Sequence, residues 1–237
     1  MRPLSYVYII HDIDKMSSQS QIRLKMVVCG GIVYRIEFTN ILSDVCYNKS
    51  MQNIKSLKTI YQKDIFPNME LIDVEFEDRL TGKAIIIDKE NKIAMVGSSL
   101  NFIYTLPGGG IDIGEQIEQG IIREIKEEAG CIIEISHMLG CIDDYRNRDK
   151  KHCVSYCAIA KVIGDKQEPE LTEEEKKNGL HVKWFTKDEV YKILEDEYKK
   201  VSAGEINFYN TAYNVVRDFE FVKEYLGNKK GGLSTSL

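Results

Sequence analysis

From Gly109 to Cys131 the chain reads GGIDIGEQIEQGIIREIKEEAGC, and this stretch decides how the rest is read. As a pattern it is G-x5-E-x7-R-E-I-x-E-E-x-G-C, with Gly109, Glu115, Arg123, Glu124, Ile125, Glu127, Glu128, Gly130 and Cys131 at its named positions. A glycine-rich loop runs straight into a segment with helical spacing. At about 100° per residue, Glu127 and Glu128 lie three and four positions past Glu124, so all three project from one side of a helix. Ile117, Ile121, Ile125 and Ala129 form an adjacent apolar stripe that docks such a helix on a sheet. Gly130 is placed to be the left-handed residue that ends it.

Like charges at this spacing destabilise a bare helix by about 0.2–0.5 kcal/mol per pair. A cation between them reverses that cost. Hard carboxylate oxygens at the rim of a domain suit Mg²⁺ or Mn²⁺, which take one or two carboxylates together with water and substrate phosphates. Arg123 neighbours the acidic face and can fix a carboxylate through a bidentate pair. A solvated acidic helix accounts for Glu124, Glu127 and Glu128 taken alone. It does not account for the glycines, Glu115 and Arg123 at their fixed offsets.

These residues resemble the signature of the Nudix (MutT-like) hydrolases, G-x5-E-x7-R-E-U-x-E-E-x-G-U with U a bulky aliphatic residue. The match is complete except that Cys131 stands in the last aliphatic position, a small buried hydrophobe in most proteins. Leu106-Pro107-Gly108 resembles the family's lead-in. The resemblance implies an α/β (α+β) fold, an α-β-α sandwich with a mixed central sheet. It implies cleavage of a diphosphate in a substrate of the type nucleoside diphosphate linked to X, with Mg²⁺ or Mn²⁺ held by Glu124, Glu127, Glu128 and the Gly108 carbonyl. Arg123, Glu127 and Glu128 are then candidate catalytic residues, and Glu115 and Gly130 support the motif. The proton acceptor is Glu127 or Glu128, or a downstream glutamate from the run Glu173–Glu175, for which Glu174 stands. A solvated acidic loop is the plain alternative for that run.

Substrate contacts are expected at Gly109 and Gly110. Tyr145 and Arg146 join them, from the loop Asp143–Lys151, which offers cations and a ring able to stack on a base. The arginine that many relatives carry before the glycine loop is absent, because Gly97-Ser98-Ser99-Leu100 occupies that stretch. A phosphate-reading cation must come from elsewhere. The proline that often follows the motif in ADP-ribose-cleaving relatives has no counterpart near Arg146, which argues against that substrate. An inactive nucleotide-binding sensor or scaffold on the same fold is the alternative function, and the intact glutamates stand against it.

Composition agrees with a soluble globular chain: 237 residues, 43% hydrophobic and 29% charged. A net charge of −5 gives no electrostatic case for nucleic acid or an anionic membrane, and the partner expected is a small nucleotide-type diphosphate. Bound Mg²⁺ would reverse the local sign for such a ligand. Six cysteines lack metal-ligand or disulfide-framework spacing, and read as reduced thiols of a cytoplasmic protein. No apolar stretch is long enough to span a bilayer.

The chain divides into an extension over residues 1–75, a catalytic domain over 76–226 and a disordered tail over 227–237. Strands are expected at Gly82–Asp88, Lys92–Val96, Asn101–Leu106, Ile132–Ile142, His152–Ile163 and Val182–Phe185. A helix opens at Thr186 with Glu189 completing a capping box, and another spans Gly204–Tyr225. In the extension, Ile22–Val28 and Ile32–Phe38 read as a hairpin around Cys29-Gly30-Gly31, Ser50–Tyr61 as an amphipathic helix and Met69–Phe76 as a strand. Some relatives dimerise through N-terminal strands, so the resemblance allows a homodimer.

Overall fold

The computed structural model describes residues 24–29, 32–37, 54–100, 102–206 and 208–230. The chain divides into two compact units, residues 1–52 and 53–237. In the first, β1 (Leu24–Cys29) and β2 (Ile32–Glu37) pair antiparallel, with Leu24 opposite Glu37 and Cys29 opposite Ile32. That is the hairpin read from the sequence.

The second unit holds a mixed seven-stranded sheet. Its strands are β3 (Ser56–Tyr61), β4 (Glu77–Ile87), β5 (Ile93–Ser98), β6 (Tyr104–Thr105), β7 (Ile133–Arg146), β8 (Lys151–Val162) and β9 (Leu180–Phe185). The order is β3-β7-β8-β4-β5-β6, with β9 on β5. β4 runs parallel to β8, and β3 parallel to β7, whereas β7–β8 and β5–β9 are antiparallel. The apolar runs Ala84–Ile86 and Ala158–Ala160 are buried on both faces, as central strands between two helical layers must be.

One layer is helix α2 (Ile117–Ala129), which follows the one-turn α1 (Gln62–Ile65). Its Ile117, Ile121, Ile125 and Ala129 are buried, each isoleucine contributing about 2 kcal/mol by leaving water. Gly82 makes the approach possible, since a Cβ there would lie 2.5 Å from Ile121 Cγ1. Gly130 closes the helix in the left-handed conformation at φ 60°. After the short α3 (Glu173–Lys177), the other layer comprises α4 (Lys187–Ser202) and α5 (Tyr209–Lys230). Val190, Leu194, Tyr213, Val216, Phe219 and Val222 pack there with Ile85, Ile142 and Ile159 of the sheet. Thr186 and Glu189 form the expected capping box at the start of α4.

Four expectations give way. Over Ser56–Tyr61 the helix expected from residue 50 is strand β3, because Thr59, Ile60 and Tyr61 favour extended backbone and pair in register with β7 beyond a bulge at Ser56–Lys58. The compact unit therefore begins at Asn53, ahead of the expected boundary at 76. Met69–Phe76 forms no strand; the Asn147 side chain supplies both bonds to Ile72 that a neighbouring strand would have supplied. The tail expected to be disordered from 227 continues α5 through Lys230, and residues 231–237 lie outside the described ones.

β6 is also shorter than expected. On its free edge the Tyr104 and Leu106 amides donate to helix carboxylates, Glu197 Oε1 at 3.0 Å and Asp218 Oδ2 at 2.8 Å. Asp218 is neutralised by Arg217, 2.8 Å away. Glu197 is buried, its Oε2 has no partner among the described residues, and burial pushes its pKa up from 4.5 to about 7. Between those values the folded carboxyl keeps a proton that the unfolded chain has released, so stability is full below about 4.5 and falls as pH rises through about 7. Glu197→Gln is expected to abolish that fall, on the order of 3 kcal/mol. Thermal melts of both proteins across this range check it, and parallel pH profiles would reject the assignment.

Candidate active site

The glycine loop is stitched along β4. Gly82 N donates to Gly109 O at 2.9 Å, Ala84 N to Pro107 O at 3.1 Å and Ile111 N to Leu80 O at 3.1 Å. Two glycines are required by contact. Gly108 has φ +124°, and a Cβ on it would lie 2.1 Å from the Gly82 carbonyl. A Cβ on Gly109 would lie 2.3 Å from Glu124 Oε2. A bare Gly109 therefore leaves the Glu124 carboxylate where it stands; a methyl group there would push it aside.

Arg123 organises what faces it. Its Nε and Nη2 donate to the two Glu115 oxygens at 2.9 Å each, and Nη2 also reaches the Gly110 carbonyl at 2.9 Å. Nη1 donates to Glu124 Oε1 at 2.9 Å and Glu127 Oε2 at 3.2 Å. Glu115 thus supports Arg123 from behind. Its carboxyl is held below the ordinary range, first by the bond from Arg123, and the guanidinium's own pKa is raised, first by Glu115.

Glu128 faces the loop from its other end, accepting from Gly108 N at 2.7 Å. Burial raises the proton affinity of both Glu124 and Glu128, against the opposing pull of Arg123 on the former and Lys83 on the latter. The Gly108 carbonyl, expected to ligate a metal, accepts from the Lys83 ammonium, which also reaches Leu106 O at 3.2 Å. Lys83 is buried, and burial, then the nearby Arg217, lower its pKa. Sequence reasoning passed over this residue. The signal was a lysine inside the otherwise apolar strand run Gly82–Ile87, where a charge needs a partner.

The donor set is carboxylate and carbonyl oxygen throughout, which fits Mg²⁺ or Mn²⁺. Among the described residues no three side chains already stand at ligating geometry. Arg123 Nη1 bonds both Glu124 and Glu127, and Lys83 bonds the Gly108 carbonyl. Both cations screen the oxygens that a divalent ion would draw in.

Other expected residues fall elsewhere. Glu174 is exposed on α3, and of its run Glu175 is the one whose charge reaches Glu128. Glu175 Oε2 is itself engaged by Thr172 in a capping box. Tyr145 is stacked between neighbours on the two flanking strands, with His152 at 4.4 Å and Tyr61 at 5.3 Å between centroids. Neither ring face is left for a base. His152 is fixed as well, between Asp78 and Asp143. Arg146 is buried, paired with Asp144 at 2.6 Å and bonded to Asn210 and Asn214 of α5.

Compared with known families, residues 79–204 match the NUDIX domain. The chain belongs to the Nudix family. It is 37% identical over 82 residues to an ADP-ribose pyrophosphatase of Methanocaldococcus jannaschii, a span of 33% of this chain and 48% of that protein. It is 26% identical over 111 residues to the diphosphoinositol polyphosphate phosphohydrolase 3-alpha of Mus musculus, spanning 46% of this chain and 63% of the relative. The chain thus spans about half to under two thirds of the length of these relatives. A NUDIX hydrolase structure from Nitrosomonas europaea aligns with 65% of this chain and 91% of its own, at 16% identity and a TM-score of 0.48.

The Gly109 contact generates a test. Gly109→Ala is expected to displace Glu124 and weaken Mn²⁺ binding, read by electron paramagnetic resonance, by at least about tenfold, with the circular dichroism spectrum of the fold retained. Unaltered Mn²⁺ affinity in a folded variant would remove Glu124 from the metal site.

Proposed function

We propose that this chain is a Mg²⁺- or Mn²⁺-dependent hydrolase that cleaves a diphosphate linkage in a nucleotide or nucleotide derivative. One observation carries the reading: Glu124, Glu127 and Glu128 converge on a bare glycine loop, two on a single guanidinium nitrogen and one on the Gly108 amide. Family membership supports it, and so do relatives named as pyrophosphatases and phosphohydrolases. The ligands are Glu124, Glu127, Glu128 and the Gly108 carbonyl. A bound metal supplies charge neutralisation for the phosphates and a water of lowered pKa.

The protein's own groups do the rest. Gly109 and Gly110 let phosphate oxygens approach the backbone, while Arg123 and Glu115 hold the glutamates in register. Glu174 is exposed and Glu175 is spent on its helix cap, so the proton of the attacking water falls to Glu127 or Glu128. Glu127 is the more exposed of the motif's ion-paired glutamates, with its side chain 42% accessible and one contact to Arg123. The same reading takes a small-molecule substrate, in the cytoplasm, with no nucleic acid and no membrane surface, and allows a homodimer.

Two measurements follow. A phosphate-release screen with Mg²⁺, run with and without added phosphatase, covers nucleoside triphosphates, dinucleoside polyphosphates, ADP-ribose, nucleotide sugars and NADH. Release seen only with phosphatase identifies diphosphate cleavage to monoesters; silence across the panel despite Mn²⁺ binding favours the inactive nucleotide sensor. ADP-ribose belongs in the panel because of the Methanocaldococcus jannaschii relative, although the proline of such enzymes is absent near Arg146. Glu127→Gln is expected to lower turnover by about a hundredfold or more while the metal-free melting temperature stays near wild type, because a glutamine still accepts from Arg123. Glu174→Gln should leave turnover within about twofold, since its side chain is solvated.

A further inference from the structure

A second polar centre lies on the face of the sheet opposite α2. Along β4, Arg79, Thr81 and Lys83 alternate onto one face, and beside them on β8 stand Cys153, Ser155 and Cys157 in register. Thr81 and Ser155 share a hydroxyl hydrogen bond of 2.7 Å. Arg146 of β7 and Arg217 of α5 both donate to Asn214 Oδ1, at 3.2 Å each. The Cys153 thiol lies within electrostatic reach of Arg146, Arg79 and Arg217 together, and of Asp144. Arg146 and Arg217 thus meet on one acceptor, and Arg79 stands in the same cross-strand row as Cys153 and Asp144, the partner of Arg146.

Two of these cations have unused capacity. Arg217 is 2% exposed, and its Nη2 has no hydrogen-bond partner among the described residues although Asp218 and Asn214 take the rest of the group. A buried donor left in that state costs about 1–3 kcal/mol, more for a charged group. Arg79 has no ion pair or hydrogen bond among the described residues, is exposed, and carries its Nη2 3.9 Å from where a Gly110 Cβ would stand. The two counter-ions, Asp144 and Asp218, are already paired with Arg146 and Arg217. This centre adjoins the glycine loop: Arg79 carries its guanidinium beside Gly110, and Arg217 lies near Lys83, which holds the Gly108 carbonyl.

We infer that Arg79, Arg146 and Arg217 form an anion-binding subsite that takes a phosphate or carboxylate group of the substrate other than the scissile diphosphate. It rests on the hydrolase reading above and names the substrate class more narrowly: a diphosphate whose X group is itself anionic. Arg79 draws the group in at the rim beside Gly110, and Arg217 Nη2 and Arg146 receive it on the inner side. Guanidiniums suit this task because their fixed forks match the planar or tetrahedral oxygens of such anions.

The test has two arms, both on the full chain. In EDTA, inorganic phosphate is titrated against the wild type, Arg79→Ala and Arg79→Lys, with the melting temperature as readout. A saturable rise in the wild type, weakened about tenfold in Arg79→Ala and partly restored in Arg79→Lys, supports the subsite. Equal rises in wild type and Arg79→Ala overturn it, leaving water as the partner of Arg217. This arm needs no turnover, so it stands if the hydrolase reading fails. With Mg²⁺, UDP-glucuronate and UDP-glucose, which differ by one carboxylate, are compared. The kcat/KM ratio should favour the glucuronate and fall about tenfold in Arg79→Ala, and an unchanged ratio counts against the subsite. Failure to cleave either sugar nucleotide while phosphate binds as expected counts against the hydrolase reading alone. Arg217→Lys, which keeps the charge next to Asp218, should reproduce the ratio change if it folds, and Arg79→Ala decides the matter if it does not.

Discussion

Everything at the site depends on how one guanidinium spends its donors. Arg123 binds Glu115, the Gly110 carbonyl, Glu124 and Glu127, and so ties helix α2 to the loop that precedes it. Without that cation Glu124 and Glu127 would stand unscreened in the C-terminal half of the helix, where the macrodipole is also negative. Bidentate attachment to Glu115 leaves one nitrogen for Glu124 and Glu127, and fixes the direction from which they converge.

The second constraint is steric. Gly82, Gly108 and Gly109 each lie where a methyl group would strike a neighbour, and the three contacts join strand, loop and helix in sequence. At Gly108 the neighbour is backbone and cannot give, whereas at Gly109 it is the end of the Glu124 side chain, which would move aside. Lys83 completes the arrangement electrostatically. Its ammonium holds the Gly108 carbonyl inward from the sheet side, while Glu128 holds the amide of the same residue from the helix side. The Gly108 peptide is thus gripped at both ends.

Local signals that carry their own geometry were legible in the sequence. Helix α2, its buried stripe and its left-handed Gly130 followed from spacing and a signature, and so did the capped start of α4. What stayed hidden was set by partners far along the chain. β3 is a strand because β7 offers it a ladder more than seventy residues later. Ile72 needs no strand because Asn147 supplies one side chain's worth of pairing. Tyr145 looked like a ring free to stack on a base, and the register across β3, β7 and β8 fills both its faces. Lys83 shows only as a charge inside an apolar strand and Arg217 not at all; the fold alone brings them near the loop.

The free edge of β6 has a consequence for where this fold can be cut. The family match ends at residue 204, yet the carboxylate that receives the Leu106 amide belongs to Asp218, beyond that limit. The opposite margin behaves alike: the match opens at residue 79, downstream of the strand that closes the sheet next to β7. What is inherited as a recognisable unit and what must be synthesised together to hold its glycine loop in place are therefore two different lengths of polypeptide.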